Sequence, residues 1–314
     1  MSLQQAYRPT TFKGVVGNEA VIESLQNVLN KAEPPSAFLF IGKAGTGKTS
    51  FGRITARVLG CKKAGFTEKD SADDRSIESI RKMKEDIKFA PLTGKKKVIL
   101  LDECHALLKP SQSALLKILE EPPKHAHIIL CTTNPENLLE TIKRRCHIYK
   151  LESLKSTDLN KLFNRILKRE KIKNFSTDIL DKILELSDGS AGIALKYLDM
   201  VIDFTDTKRA IETLKAAGTT KSDVAMLCRT LCDYNMSKNN KWFKLKKLLS
   251  DFDGDAESAR RPILKWLSNV LLSRDLNNGM EMAYMISHFE NNFYDSGISG
   301  LRAAFFKACS DIEE

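Results

Sequence analysis

The chain has 314 residues, 42% of them hydrophobic and 29% charged, and a formal net charge of +10 at pH 7. That length exceeds one average domain, so two or three domains with separate cores are expected. No run approaches the roughly 18 consecutive apolar residues of a membrane helix, which removes a membrane from the expected partners, and the surplus of Lys and Arg suits a polyanionic one.

Seven cysteines, an odd number without a C-x-x-C pair, argue against a disulfide framework and against a ribbon-type zinc site. The opening "MSLQQAYRPTTF" has neither a basic start followed by an apolar run nor a small-residue cleavage site, so a cytoplasmic location is expected.

In chain order, "AFLFIG" (37–42), "KKVILLDE" (96–103), "HAHIILCTT" (125–133) and "HIYKL" (147–151) read as strands, the first two as strands buried on both faces of a parallel sheet. Amphipathic segments at 48–59, 76–89 and 111–120 read as helices, the last starting after Pro110 and stopping before Pro122 and Pro123. Alternation of strand and helix predicts a parallel α/β sheet. Beyond about Leu154 helical periodicity takes over, with a break near 204–208. Three domains are expected, at 1–153, 154–205 and 206–314.

The segment "GKAGTGKT" fits G-x-x-x-x-G-K-[ST] between a buried strand and a helix. Gly42, Gly45 and Gly47 allow a tight backbone whose N–H groups surround phosphate oxygens, at the positive end of the following helix. Lys43, Ala44, Thr46 and Ser50 complete the stretch. Lys48 is placed to reach β and γ phosphates and the Thr49 hydroxyl to ligate Mg²⁺.

About fifty residues on, "VILLDECH" sets Asp102 and Glu103 at a strand end, the first as a metal-holding acid and the second as a base for the attacking water. After the next strand, Thr132, Thr133 and Asn134 are either polar groups near the γ-phosphate or turn formers before Pro135.

These residues, in this order, resemble the AAA+ ATPases of the sliding-clamp loader family, which includes the bacterial DNA polymerase III γ/τ subunit, the small subunits of replication factor C and phage counterparts. "YRPTTFKGVVGNE", "DSADDRSIESIR" and "SALLKILEEPPKHAHIILCTTNP" carry the resemblance, which spans roughly residues 4–200. It implies a P-loop α/β domain, a small helical lid and an all-α C-terminal collar. It also implies an ATP- and Mg²⁺-dependent subunit of a homo- or hetero-pentamer that loads a sliding clamp onto primer-template DNA during replication. A non-hydrolysing structural subunit of the loader and a branch-migration helicase are the alternatives.

By the same resemblance Tyr7, Arg8, Val15 and Val16 border the adenine, and Thr133 is the first sensor of the γ-phosphate. In "KRRC", Arg145 falls where the family has the arginine of a Ser-Arg-Cys motif, which completes the neighbouring subunit's active site, and Arg144 takes the serine position. A planar, always charged guanidinium suits the charge spread over γ-phosphate oxygens. Arg75, Arg81, Lys109 and Ser111 are the implied DNA contacts, positioning a duplex without reading its sequence.

Two departures stand out. The family's four-cysteine zinc module has no counterpart in "LGCKKAGFTEKD", so zinc is not expected. In "GSAGIALKYLD", Gly192 stands at the second-sensor arginine, with Lys196 one turn on as a possible substitute.

Three stretches read as decoys. "KWFKLKKLL" (241–249) is a core stripe of Trp242, Leu245 and Leu249 with a solvated face rather than a membrane helix. "DFDGDAE" (251–257) lacks the glycine and closing glutamate placement of a calcium loop. The pairs Cys104-His105 and Cys146-His147 offer too few ligands for a metal.

Overall fold

The computed structural model describes residues 2–310 except 92, 95, 218–220, 235, 251, 253–255, 274–275 and 294–295. The chain divides into two compact units, Met1–Phe175 with Ser187–Asp199, and Ser176–Leu186 with Met200–Glu314.

The first unit is built on five parallel strands, β1 (Ala37–Ile41), β2 (Cys61–Asp70), β3 (Lys96–Asp102), β4 (Ala126–Thr132) and β5 (His147–Lys150), in the order β2-β3-β4-β1-β5. The central strands are apolar because both faces are covered, and all seven residues of β4 are buried. Side chains alternate across the sheet. Phe38, Phe40, Leu100 and Ile129 face a cluster containing Leu25, Leu29, Phe51 and Ile54 of α2 (Glu19–Leu29) and α3 (Lys48–Val58). Leu39, Ile99, Leu101 and Ile128 face another, with Ile80, Met83 and Ile87 of α4 (Ile77–Ile87), Leu115 and Ile118 of α5 (Lys109–Glu120), and Ile142 of α6 (Glu140–Arg144). Helix α1 (Leu3–Ala6) precedes these, and α7 (Ser156–Arg169) follows.

Registers of Ile41 with Thr132 and of Leu101 with Leu130 bring the carboxyl ends of β1, β3 and β4 to one edge. Open α/β sheets bind ligands outside that edge.

Two elements differ from the sequence reading. β2 was not expected, because "CKKAGFTEKD" is charge-rich and carries a register shift between Cys61 and Phe66. It is an edge strand, where lysines and irregularity discourage pairing with another chain. Helix α5 starts at Lys109 rather than Ser111, with Pro110 in its first turn, where a missing N–H costs no hydrogen bond.

The second unit shows only helices among its described residues, α8 (Thr177–Ser187), which the division cuts after Leu186, and α10 (Thr207–Ala217) to α15 (Gly297–Ser310). Between these, α9 (Ala191–Val201) begins in the first unit. Leu227 and Leu231 of α11 (Lys221–Leu231), Leu245 and Leu249 of α12 (Lys238–Ser250), and Ile263 and Leu267 of α13 (Ala256–Leu272) share one core. Met282 and Met285 of α14 (Leu276–Ser287) and Phe305 of α15 complete it.

Trp242 packs against this core, whereas Phe243 stays exposed, so the α12 stripe is as expected. Arg260 donates from Nε and Nη2 to Glu257 at 2.8 and 2.6 Å, and Glu257 accepts the Phe293 N–H at 3.1 Å, tying the start of α13 to the segment before α15. Most of the calcium-like stretch 251–257 lies outside the described residues. Among the described residues no helix is long and apolar enough to cross a membrane.

Candidate active site

The phosphate loop leaves β1 at Gly42, whose N–H donates to the Thr132 carbonyl at 3.3 Å. Gly45 and Gly47 hold φ of +73° and +95°, a region that side chains disfavour. The Thr46 hydroxyl closes the loop by donating to Lys43 O at 2.8 Å. Helix α3 begins at Lys48 with its first-turn N–H groups available to an anion. The Lys48 side chain is buried and its ammonium donates to the carbonyls of Gly42 at 3.0 Å and Lys43 at 3.2 Å.

Across the cleft, the Thr49 hydroxyl donates to Asp102 Oδ2 at 2.6 Å, so the two residues assigned to one metal already meet. Asp102 Oδ1 accepts the N–H of Glu103 at 3.1 Å. Glu103 itself has φ +45°, a turn that ends β3 and brings the side chain to the cleft.

At the end of β4 the two readings of "TTN" separate by residue. The Thr133 hydroxyl donates to Glu103 Oε2 at 3.2 Å, and buried Thr132 accepts the N–H of Asn134 at 3.1 Å as a turn former. His105 Nδ1 lies 3.2 Å from Glu103 Oε2 and 3.1 Å from Thr132 Oγ1. Sequence reasoning weighed His105 only as half of a metal pair. Its neighbour Cys104 is fully buried, and burial pushes that thiol well above its usual value. Burial likewise pushes the Cys146 thiol up to about 12.

Tyr7, Arg8, Val15 and Val16 line the same cleft as Ala44 to Ser50, together with Asp102 and Glu103. Leu154, Leu162 and Leu195 add an apolar wall that no motif announced. Burial, and then the charge of Arg53, lowers the Arg8 pKa from its usual value. The Tyr7 hydroxyl donates to Glu170, and that bond with burial raises its pKa.

Gly192 sits directly on the phosphate loop. Its N–H donates to Gly45 O at 3.2 Å, and a Cβ on Gly192 would lie 3.3 Å from Gly45 Cα. Ser190 crowds Gly45 from the same side. Lys196, one of the two options weighed for the missing sensor arginine, is exposed and is not among the residues lining the cleft.

Arg145 is exposed and outside the cleft of its own chain. Its Nη2 donates to Glu120 Oε1 at 2.7 Å and its Nη1 to Thr141 O at 3.0 Å. Arg75, Arg81 and Lys109 are exposed, as surface contacts require. Ser111 corrects the expectation: it is fully buried, and its hydroxyl donates to the Arg75 carbonyl at 2.7 Å. A short polar side chain in the first turn of α5 braces the segment carrying Arg75 instead of reaching outward.

A family model described as DNA polymerase III, delta subunit matches residues 66–155. The chain is 34% identical over 226 residues to the DNA polymerase III subunit gamma/tau of Mycoplasma genitalium, covering 65% of this chain and 38% of that one. It is 32% identical over 259 residues to subunit tau of Bacillus subtilis, covering 75% and 46%, and 33% identical over 247 residues to subunit tau of Escherichia coli, covering 71% and 38%. The chain thus spans less than half the length of these three relatives. Its fold is similar to the Thermotoga maritima RuvB Holliday junction branch migration motor, with a TM-score of 0.56 and 19% identity over 76% of this chain and 85% of that one. The parallel sheet and phosphate loop thus sit in a chain that is similar to DNA polymerase III gamma and tau subunits over part of their length.

Proposed function

We propose that the chain is an ATP-hydrolysing subunit of a sliding-clamp loader, acting on primer-template DNA in the cytoplasm within an assembly of such subunits. The observation that carries this reading is the meeting of Thr49 with Asp102, beside Lys48 and Glu103, in one cleft. A hydroxyl and a carboxylate at this spacing are the hard oxygen donors that Mg²⁺ takes alongside phosphate and water oxygens. Thr49 and Asp102 would hold that ion, which when bound neutralises phosphate charge.

The roles of the chain's own groups follow from position. The loop from Gly42 to Gly47 offers N–H groups to phosphate oxygens, and the Lys48 ammonium turns from its loop carbonyls to β and γ phosphates. Tyr7, Arg8, Val15 and Val16 with Leu154, Leu162 and Leu195 receive the adenine. Glu103 orients a water and accepts its proton as the water oxygen bonds the γ-phosphorus and ADP leaves. Thr133, already on Glu103, registers the γ-phosphate.

Arg145, turned away from its own cleft, would serve the cleft of a neighbouring subunit. Arg75, Arg81 and Lys109 would grip duplex phosphates, with Ser111 as a brace. Residues 154–205 would act as the lid and 206–314 as the collar that holds subunits together. Clamp loading onto primed circular DNA tests the reading: the assembly containing this chain should leave clamps on the circle only with ATP, and Lys48→Ala should abolish loading. Equal loading without ATP would contradict it.

A further inference from the structure

We propose that His105 is a positioning residue for Glu103, an inference that rests on the ATPase reading. The bridge consists of one ring nitrogen, 3.2 Å from Glu103 Oε2 and 3.1 Å from Thr132 Oγ1. It joins the turn after β3 to the end of β4, the two elements that frame the reacting side of the cleft.

An ionised carboxylate only accepts hydrogen bonds, so the nitrogen facing it carries a proton: the Nδ1–H hydrogen-bonds Thr132 Oγ1 and lies 3.2 Å from Glu103 Oε2 as a close charge contact. Glu103 Oε2 then meets two side chains, the Thr133 hydroxyl that donates to it and His105 Nδ1 at 3.2 Å. Among the described residues Oε1 has no protein hydrogen bond, which leaves it as the oxygen that can face an attacking water.

Thr133 cannot be a permanent tether. A threonine hydroxyl has one proton, so when Thr133 donates to a γ-phosphate oxygen it releases Glu103. His105 then remains as the side chain that fixes the carboxylate, anchored through Thr132, whose hydroxyl is in turn held by the Asn134 N–H at 3.1 Å. A base displaced by about 1 Å can cost on the order of a hundredfold in rate, which is the penalty His105 averts.

The test uses the assembly reconstituted with its native partner subunits, clamp and primed DNA, with ATP and magnesium. In this setting His105→Leu should lower kcat about ten- to a hundredfold with ATP binding and KM unchanged. His105→Asn, whose amide nitrogen can sit where Nδ1 sits, should restore most of the rate, and His105→Gln, which places its amide at the Nε2 position, should not. In a Glu103→Gln background His105→Leu should cause no further loss, because the group it positions is already disabled.

A wild-type rate in His105→Leu would overturn the inference, as would rescue by Gln equal to that by Asn, or a full additional loss beside Glu103→Gln. If the Leu variant does not fold, the Asn and Gln pair alone decides. Absence of hydrolysis by the wild-type assembly, measured first, would overturn the ATPase reading itself and is thereby distinguished from failure of the His105 role.

Discussion

The backbone N–H of Gly192 donates to the carbonyl of Gly45 at 3.2 Å, so the start of α9 meets the phosphate loop main chain to main chain. A Cβ at this position would lie 3.2 Å from Gln4 Nε2 and 3.3 Å from Gly45 Cα, and the backbone partner has little room to give. Where the family resemblance implies an arginine, this chain has a glycine whose backbone touches the loop.

Gly192→Ala should therefore cost about 1 kcal/mol of stability through overpacking and weaken nucleotide binding severalfold. Denaturant unfolding and titration with a fluorescent ATP analogue check both effects. Unchanged values in each would show that the contact between α9 and the loop is incidental.

Glu120 and Arg145 give a second prediction. Their ion pair is partly exposed, with side-chain exposures of 36% for Arg145 and 47% for Glu120, so its contribution to stability is small. Its expected value lies in orientation. In assemblies mixing wild-type and Arg145→Ala subunits, the variant should keep its own ATP binding while hydrolysis at the adjoining site falls about a thousandfold. Glu120→Ala should lower that hydrolysis by about tenfold without altering the melting temperature. Loss of ATP binding by the Arg145→Ala subunit itself would contradict a role across the subunit boundary.

His127 supplies a pH dependence. It lies buried in β4 opposite Val98, its Nδ1 is 2.8 Å from the Pro35 carbonyl and its buried Nε2 has no hydrogen-bond partner among the described residues. Burial lowers its pKa below the ordinary 6.5, against a smaller opposing effect of the Pro35 carbonyl. The unfolded chain therefore binds more protons than the folded one between the two values, and stability rises with pH across that window. The contribution is complete above about pH 6.5 and is lost as pH falls through the folded-state value. Melting curves from pH 5 to 8 should show this slope, and His127→Asn, which keeps a donor for Pro35, should flatten it. An unchanged slope would assign the dependence to other groups.

Much of this was legible in the residues because the chemistry is local. The phosphate loop is a contiguous motif with a strand before it and a helix after it, and the four apolar strands stand out by composition. β2 was hidden because an edge strand needs no apolar run, and "CKKAGFTEKD" shows its pairing only once β3 is beside it. His105 was hidden for a different reason: its partners, Glu103 and Thr132, are joined by sheet topology, and adjacency to Cys104 invited a metal reading. Ser111 was misjudged because a helix start predicts accessible N–H groups and says nothing about which way a serine hydroxyl turns. The leucines that line the cleft come from α7, α9 and the segment before α7, too far apart in sequence to announce one wall.

The central claim is that Glu103 performs hydrolysis at the cleft formed by Lys48, Thr49 and Asp102. Steady-state ATP turnover by the reconstituted assembly with clamp and primed DNA, compared between wild type and Glu103→Gln, tests it most directly. The expected result is stimulated turnover by the wild type and a fall of about 10²- to 10⁴-fold in the variant with ATP binding retained. Turnover by Glu103→Gln at the wild-type rate, or none by the wild type, would contradict it.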